Sequence, residues 1–157
     1  MIDRASIVTE ARSWIGTPYR HQASLKGVGC DCLGLVRAMW RLVEGEEPPI
    51  PMDYSSDWGD ANGEETLLHA AYLNMRPVFR EVPPWSRPAF AEPGVGDVLL
   101  FRWRDHLPAK HCAILTEPGR IIHAYDGAGK VCEVNFTPAW RKRLAGVFSF
   151  PALGSAS

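Results

Sequence analysis

Lys110-His111-Cys112-Ala113-Ile114-Leu115-Thr116-Glu117-Pro118-Gly119-Arg120-Ile121-Ile122-His123-Ala124 decides the fold class, because two apolar runs flank a Thr-Glu-Pro-Gly segment. Pro and Gly between such runs predict a β-hairpin, whose strands pair antiparallel without a crossover helix. Further β-type runs stand at Asp97-Val98-Leu99-Leu100-Phe101, at 130–136 and at 145–150, with no βαβ alternation among them. The second half of the chain is therefore expected to be mostly antiparallel sheet. A turn centred near Glu117 would set His111 directly opposite His123 on one face, with Cβ atoms about 4.5 to 5.5 Å apart. A slip of one residue would turn one ring to the other face.

Working back toward the N-terminus, Ile7, Val8, Ala11, Trp14 and Ile15 recur at helical spacing, and Gly16 and Pro18 close the pattern. From Asp31 onward, Leu33, Leu35, Val36, Met39, Trp40, Leu42 and Val43 leave only a narrow polar strip near Arg37 and Arg41, as in a helix packed on most sides. Residues 45–63, with Pro48, Pro49 and Pro51, read as a surface loop. Glu64 and Glu65 suit the first turn of a third helix, whose stripe is Leu67, Leu68, Ala71, Tyr72 and Met75. Helices first and strands after give an α+β domain, a single unit over 1–157 whose last few residues form a flexible tail.

The 157 residues are 46% hydrophobic and 22% charged, enough for one ordinary core. A formal net charge of -1 offers no general attraction to phosphate backbones or anionic lipid, so neither nucleic acid nor membrane is an expected partner. No apolar run approaches the roughly 20 residues that span a bilayer. Met1-Ile2-Asp3-Arg4-Ala5-Ser6 lacks the features of a secretory signal, so cytoplasmic synthesis is expected. The four cysteines, at 30, 32, 112 and 132, are too irregular for a disulfide framework and read as free thiols.

Cys32 carries the sharpest chemical signal. A nucleophilic cysteine must be thiolate, and unpaired N–H groups at a helix N-terminus favour that form. Asp31 can cap this helix, Gly34 permits close backbone approach, and the Cys32 N–H can face an oxyanion. Cys30 falls before the helix and reads as structural. His111 would serve as base and His123 would fix its tautomer. His21, His69 and His106 read as surface residues. One residue between Cys30 and Cys32 is poor spacing for zinc, so no metal or other cofactor is expected.

Together these segments resemble the NlpC/P60 family of papain-like cell-wall peptidases. Ala11-Arg12-Ser13-Trp14-Ile15-Gly16-Thr17-Pro18-Tyr19 resembles its opening helix and Gly-Thr-Pro-Tyr element, and Asp31-Cys32-Leu33-Gly34-Leu35-Val36 its nucleophile motif. Pro93-Gly94-Val95-Gly96-Asp97-Val98-Leu99-Leu100-Phe101 resembles the Pro-Gly-Asp strand, and His111-Cys112-Ala113-Ile114 with Ile122-His123-Ala124 the two histidine strands. The resemblance implies a papain-like fold with the nucleophile helix packed on the sheet, catalysis by Cys32, His111 and His123, and Tyr19 and Asp31 at the oxyanion and substrate. The implied substrate is the stem peptide of bacterial peptidoglycan, often cut between D-glutamate and a diamino acid. Leu33 departs from the usual Ser and cannot hydrogen-bond substrate. The 45–63 loop, with Asp53-Tyr54-Ser55 and Asp57-Trp58, and Cys30-Asp31-Cys32 look most like the branch carried by phage tails and gene-transfer-agent particles, which implies tail or baseplate partners and action from a virion-like particle in the target wall. A structural tail-tip role with vestigial activity, and an amidase cutting between sugar and peptide, are the alternatives.

Overall fold

The computed structural model describes residues 2–49 and 65–153. The segments Asp53-Tyr54-Ser55 and Asp57-Trp58, most of the expected surface loop, and the terminal tail lie outside the described residues. The elements run α1 (Arg4–Arg12), β1 (Ser24–Leu25), β2 (Gly29–Cys30), α2 (Cys32–Val43), α3 (Thr66–Asn74), β3 (Arg76–Pro77), β4 (Val98–Arg102), β5 (Ala109–Glu117), β6 (Arg120–Tyr125), β7 (Lys130–Asn135), α4 (Pro138–Arg141) and β8 (Leu144–Ser149). The six-stranded sheet has the order β3-β8-β4-β5-β6-β7 and every pairing in it is antiparallel. This is the α+β class that the hairpin reading implies.

Strand alternation gives the sheet two working faces. Val98, Leu100, Cys112, Ile114, Ile122 and Ala124 pack with Ile7, Ala11, Leu35 and Met39 of α1 and α2. Leu99, Phe101, Ala113, Leu115, Ile121 and Phe136 form a second cluster on the opposite face, with Trp140 and Leu144 against it. Each fully buried aliphatic or aromatic side chain contributes about 1.5–3 kcal/mol through removal from water. The helix carrying Cys32 thus rests on one of the most heavily buried parts of the domain.

Two polar anchors fix the remaining helices. The Arg4 guanidinium donates to Asp97 Oδ1 at 2.7 Å, to the Val95 carbonyl at 3.0 Å and to Ser149 Oγ at 2.9 Å. Asp97 also accepts from the Gly94 N–H at 2.8 Å, so the Pro-Gly-Asp turn is pinned to α1 by one carboxylate. Glu65 acts differently from the expected first-turn acid. It stands at the α3 N-cap without a capping bond, and its carboxylate accepts from Arg102 and from the Ala109 N–H, tying α3 to the start of β5.

Three details differ from the sequence reading. Helix α1 stops at Arg12, so Ile15 lies in the following turns and is 49% exposed instead of extending the buried stripe. Tyr72 is also exposed at its rim, although its ring meets Phe148 edge-on at 5.2 Å. The hairpin pairs Ile114 with Ile122 and Leu115 with Ile121, a register two residues away from symmetry about Glu117, with a bulge before Glu117. An even shift preserves which face each residue occupies. His111 and His123 are therefore diagonal neighbours on one face, not directly opposite ones.

Candidate active site

The site forms where the sheet opens. β5 and β6 are paired near their turn, from Ile114 and Ile122, while farther back β5 stays with β4 down to Ala109 and β6 stays with β7 out to Tyr125. His111 and His123 occupy the edges of this opening, and His111 Nε2 lies 2.8 Å from His123 Nδ1. The other nitrogen of His111 is then available to Cys32, and the imidazole helps to hold that thiol below its usual range. Cys32 is the first residue of α2, and its Sγ lies 3.9 Å from the Lys110 carbonyl oxygen.

Local sequence explains the poise of this turn. Asp31 Oδ1 accepts the Gly34 N–H and Asp31 Oδ2 the Gln22 N–H, each at 2.7 Å, and the carboxylate is nearly fully buried. His21 Nδ1 approaches the same carboxylate at 3.8 Å, so this exposed histidine adjoins the site's support. A Cβ on Gly34 would stand 2.0 Å from the Ala23 carbonyl oxygen, which explains glycine there. Asp31 is thus engaged by backbone donors, as a cap is, and is only 2% exposed toward any bound molecule.

Electrostatics favour a thiolate at Cys32. Interaction with the Cys112 thiol, and after it with the His111 imidazole and its charge, holds Cys32 well below the usual thiol range against the opposing effect of burial. Cys112, its buried neighbour in that pair, is pushed well up by the same interaction and then by burial. Burial, with the Asp31 and Cys32 charges behind it, raises Cys30 to about 12, which keeps that thiol protonated. Tyr19 is likewise raised, first by burial and then by the charges of Cys32 and Asp31, so its phenol remains a donor. Burial and then the His111 charge lower His123 to about 3.

A profile of the NlpC/P60 family matches residues 16–149. The chain belongs to the NlpC/P60 family. It is accordingly a cysteine endopeptidase by class. The NlpC/P60 fold is shared with the NlpC/p60 domain of peptidoglycan hydrolase SagA, at 22% identity and a TM-score of 0.57, covering 95% of this chain and 100% of that one. An NlpC/P60 family protein from Bacillus cereus gives 19% identity and a TM-score of 0.59, covering 97% of this chain but 41% of the other. The peptidoglycan hydrolase RipB from Mycobacterium tuberculosis gives 21% and 0.54, covering 93% and 63%. This chain therefore spans the whole of one such domain and less than half of the Bacillus cereus protein. A comparison with curated proteins returns no match.

Within this NlpC/P60 domain, sequence reasoning missed an aromatic enclosure of the histidines. Trp103 stacks on His111 at 5.2 Å between centroids, Trp140 approaches it at 5.7 Å, and Tyr125 stacks on His123 at 5.2 Å. Trp103 comes from the β4–β5 loop and Trp140 from the four-residue helix α4, neither of which has periodicity to announce it. Cys112 did carry a signal: one position past His111 on a strand, it must face the opposite side of the sheet, toward α2.

The neutral His123 gives folding a specific pH dependence. Its folded pKa lies below the unfolded value, so between about pH 6.5 and 3 the unfolded chain binds the extra proton and stability falls with falling pH. By pH 4 the expected loss is about 3 kcal/mol. Urea unfolding at pH 7 and pH 4 checks this. His123→Gln should flatten the slope above pH 4.5, where carboxylates contribute little, and an unaltered slope in that variant would assign the effect elsewhere.

Proposed function

We propose that this domain hydrolyses an amide bond in the stem peptide of bacterial peptidoglycan, with Cys32 as nucleophile, His111 as base and His123 as the group orienting it. The observation that carries this reading is Cys32 at the N-terminus of α2, held below the usual thiol range in part by His111, whose Nε2 lies 2.8 Å from His123 Nδ1. The substrate class is supported by membership in the family and by the peptidoglycan hydrolases that share the fold.

In this reading His111 takes the thiol proton and the Cys32 sulfur attacks the amide carbonyl, giving a tetrahedral oxyanion. The Cys32 N–H, at a helix position without an intrahelical acceptor, and the protonated Tyr19 phenol stabilise that oxygen. Neutral His123 holds the His111 ring, and His111 then gives its proton to the leaving amine as the C–N bond breaks. Water, deprotonated by His111, attacks the thioester and releases the acid and the thiol. Asp31 contributes by holding the turn through its two backbone contacts. No cofactor enters this scheme.

Mass spectrometry of purified peptidoglycan incubated with reduced protein tests the reading. New peptide termini are expected, abolished by iodoacetamide and retained with EDTA. Liberated stem peptides bearing no new internal terminus would identify an amidase instead, and intact wall with folded, reduced protein would overturn hydrolysis. The termini also name the bond, which Leu33 in place of the usual Ser leaves to measurement.

We further propose that the whole 1–157 unit, made in the cytoplasm, acts from a phage-like tail alongside baseplate proteins. Its support is the resemblance of Cys30-Asp31-Cys32 and of the 45–63 sequence segment to that branch. Particle proteomics checks it, and a particle lacking this chain would remove the proposal.

A further inference from the structure

Beside His111 lies an open groove lined by Trp103, Arg104, Asp105, His106, Lys142 and Arg143, with Ala139 at its edge. Its charge is unusual for this molecule. Arg4, Arg12, Arg37, Arg41, Arg102, Arg120 and Arg141 each meet a carboxylate within 4.0 Å. Among the described residues, Arg104, Lys142 and Arg143 have no such ion-pair partner, which they share with Arg20, Arg76, Arg80, Arg87 and Lys130, but only these three converge on this groove, whose lining holds a single carboxylate, Asp105. Arg143 is also pre-positioned: its guanidinium lies 5.9 Å from the Trp103 ring and 5.6 Å from the Trp140 ring. Cation–π contacts of this kind restrain the side chain before any ligand arrives, which lowers the ordering cost of binding.

The place of the groove along a bound substrate follows from acid–base chemistry. A base that has taken the thiol proton returns it to the leaving nitrogen, so the amine-side residue of the scissile amide must lie against His111. Trp103 stacks directly on that ring, at 5.2 Å and 24°, and belongs to both the histidine enclosure and the groove lining. A chain leaving the reacting carbonyl on the amine side therefore passes over Trp103 toward Arg104, Lys142 and Arg143.

We propose that Trp103, Arg104, Lys142 and Arg143 form a subsite for a carboxylate on the leaving-group side of the scissile bond. The proposal rests on the peptidase reading and adds a substrate preference to it: peptides whose amine-side residue carries a free carboxylate are favoured over the same peptides with that charge removed. Arg143 supplies the pre-oriented fork and the exposed Arg104 and Lys142 supply mobile charge.

The test uses L-Ala-γ-D-Glu-L-Lys with its C-terminus either as carboxylate or as carboxamide. Wild-type protein is expected to show kcat/KM roughly tenfold higher for the carboxylate, as a charge-assisted contact to Arg supplies. Arg143→Gln, and separately Arg104→Gln with Lys142→Gln, should bring the ratio toward one, and Arg143→Lys should restore part of it. A variant that merely loses folded protein or disturbs His111 lowers both rates and leaves the ratio unchanged. A ratio near one in wild type, or one unmoved by the Gln variants, would overturn the subsite. Failure to cleave either peptide would count against the peptidase reading for that bond, and binding to Cys32→Ala, followed by tryptophan fluorescence, then decides the subsite separately. Tighter binding of the carboxylate form, lost in the Gln variants, supports it; equal or absent binding overturns it.

Discussion

Cys32→Ala is expected to reduce kcat/KM by at least about 10⁴-fold, and Cys32→Ser by nearly as much. The first result follows from removing the nucleophile. The second follows from what the site is tuned to hold: the Cys112 thiol and His111 both stabilise a negative sulfur, and Cys32 is placed at the start of α2. A serine hydroxyl at the same place is smaller and far less acidic, so neither neighbour would make it anionic. Steady-state assays on a peptide identified from wall digests measure both losses, with circular dichroism to verify folding. More than about 1% of wild-type activity in Cys32→Ala would sink the nucleophile assignment and direct attention to Cys112, the thiol buried beside it. His111→Ala should approach the same floor, because residues that act as a unit are not additive.

How far the sequence carried the structure can be judged at the hairpin. Its strands, their antiparallel pairing and the shared face of His111 and His123 follow from alternation and from Pro118-Gly119. The register does not, because the bulge before Glu117 depends on three-dimensional packing that strand patterns do not encode. The two-residue difference was harmless only because it is even. Helix α2 was equally legible, since Asp31 and Cys32 stand at a cap and an apolar run follows. Trp103 and Trp140 were not, because both sit on short irregular segments where an aromatic residue has no periodic neighbours. That Arg104, Lys142 and Arg143 have no ion-pair partner among the described residues was invisible for a different reason: an ion pair is a statement about spatial neighbours, and net charge averages it away. Cys112 stands between these cases. Its direction was implied by His111, while its effect on the Cys32 thiol required the position of α2 on the sheet.

Gly34→Ala is expected to destabilise the fold by about 3 kcal/mol or more and to lower activity on the order of 100-fold. Helix propensity alone points the other way, since Ala in a helix interior is favoured over Gly by about 1 kcal/mol. Sterics decide the sign. The added Cβ would lie 2.0 Å from the Ala23 carbonyl oxygen and 3.0 Å from Asp31 Oδ1, and the first of these is backbone that cannot rotate away. The segment containing Ala23 is itself bonded to the turn, because Ala23 accepts the Asp31 N–H at 3.1 Å and Ser24 Oγ donates to the Gly34 carbonyl at 2.6 Å. Relief therefore requires α2 and the β1 segment to separate, which moves Cys32 relative to His111. Urea unfolding measures the stability, and the alkylation rate of Cys32 by iodoacetamide near neutral pH measures the poise of the thiolate. Both should fall together, since one displacement causes both. Near wild-type stability with unchanged alkylation would show that the turn yields without moving the sulfur, and close contact between Gly34 and Ala23 would then not be what places the nucleophile.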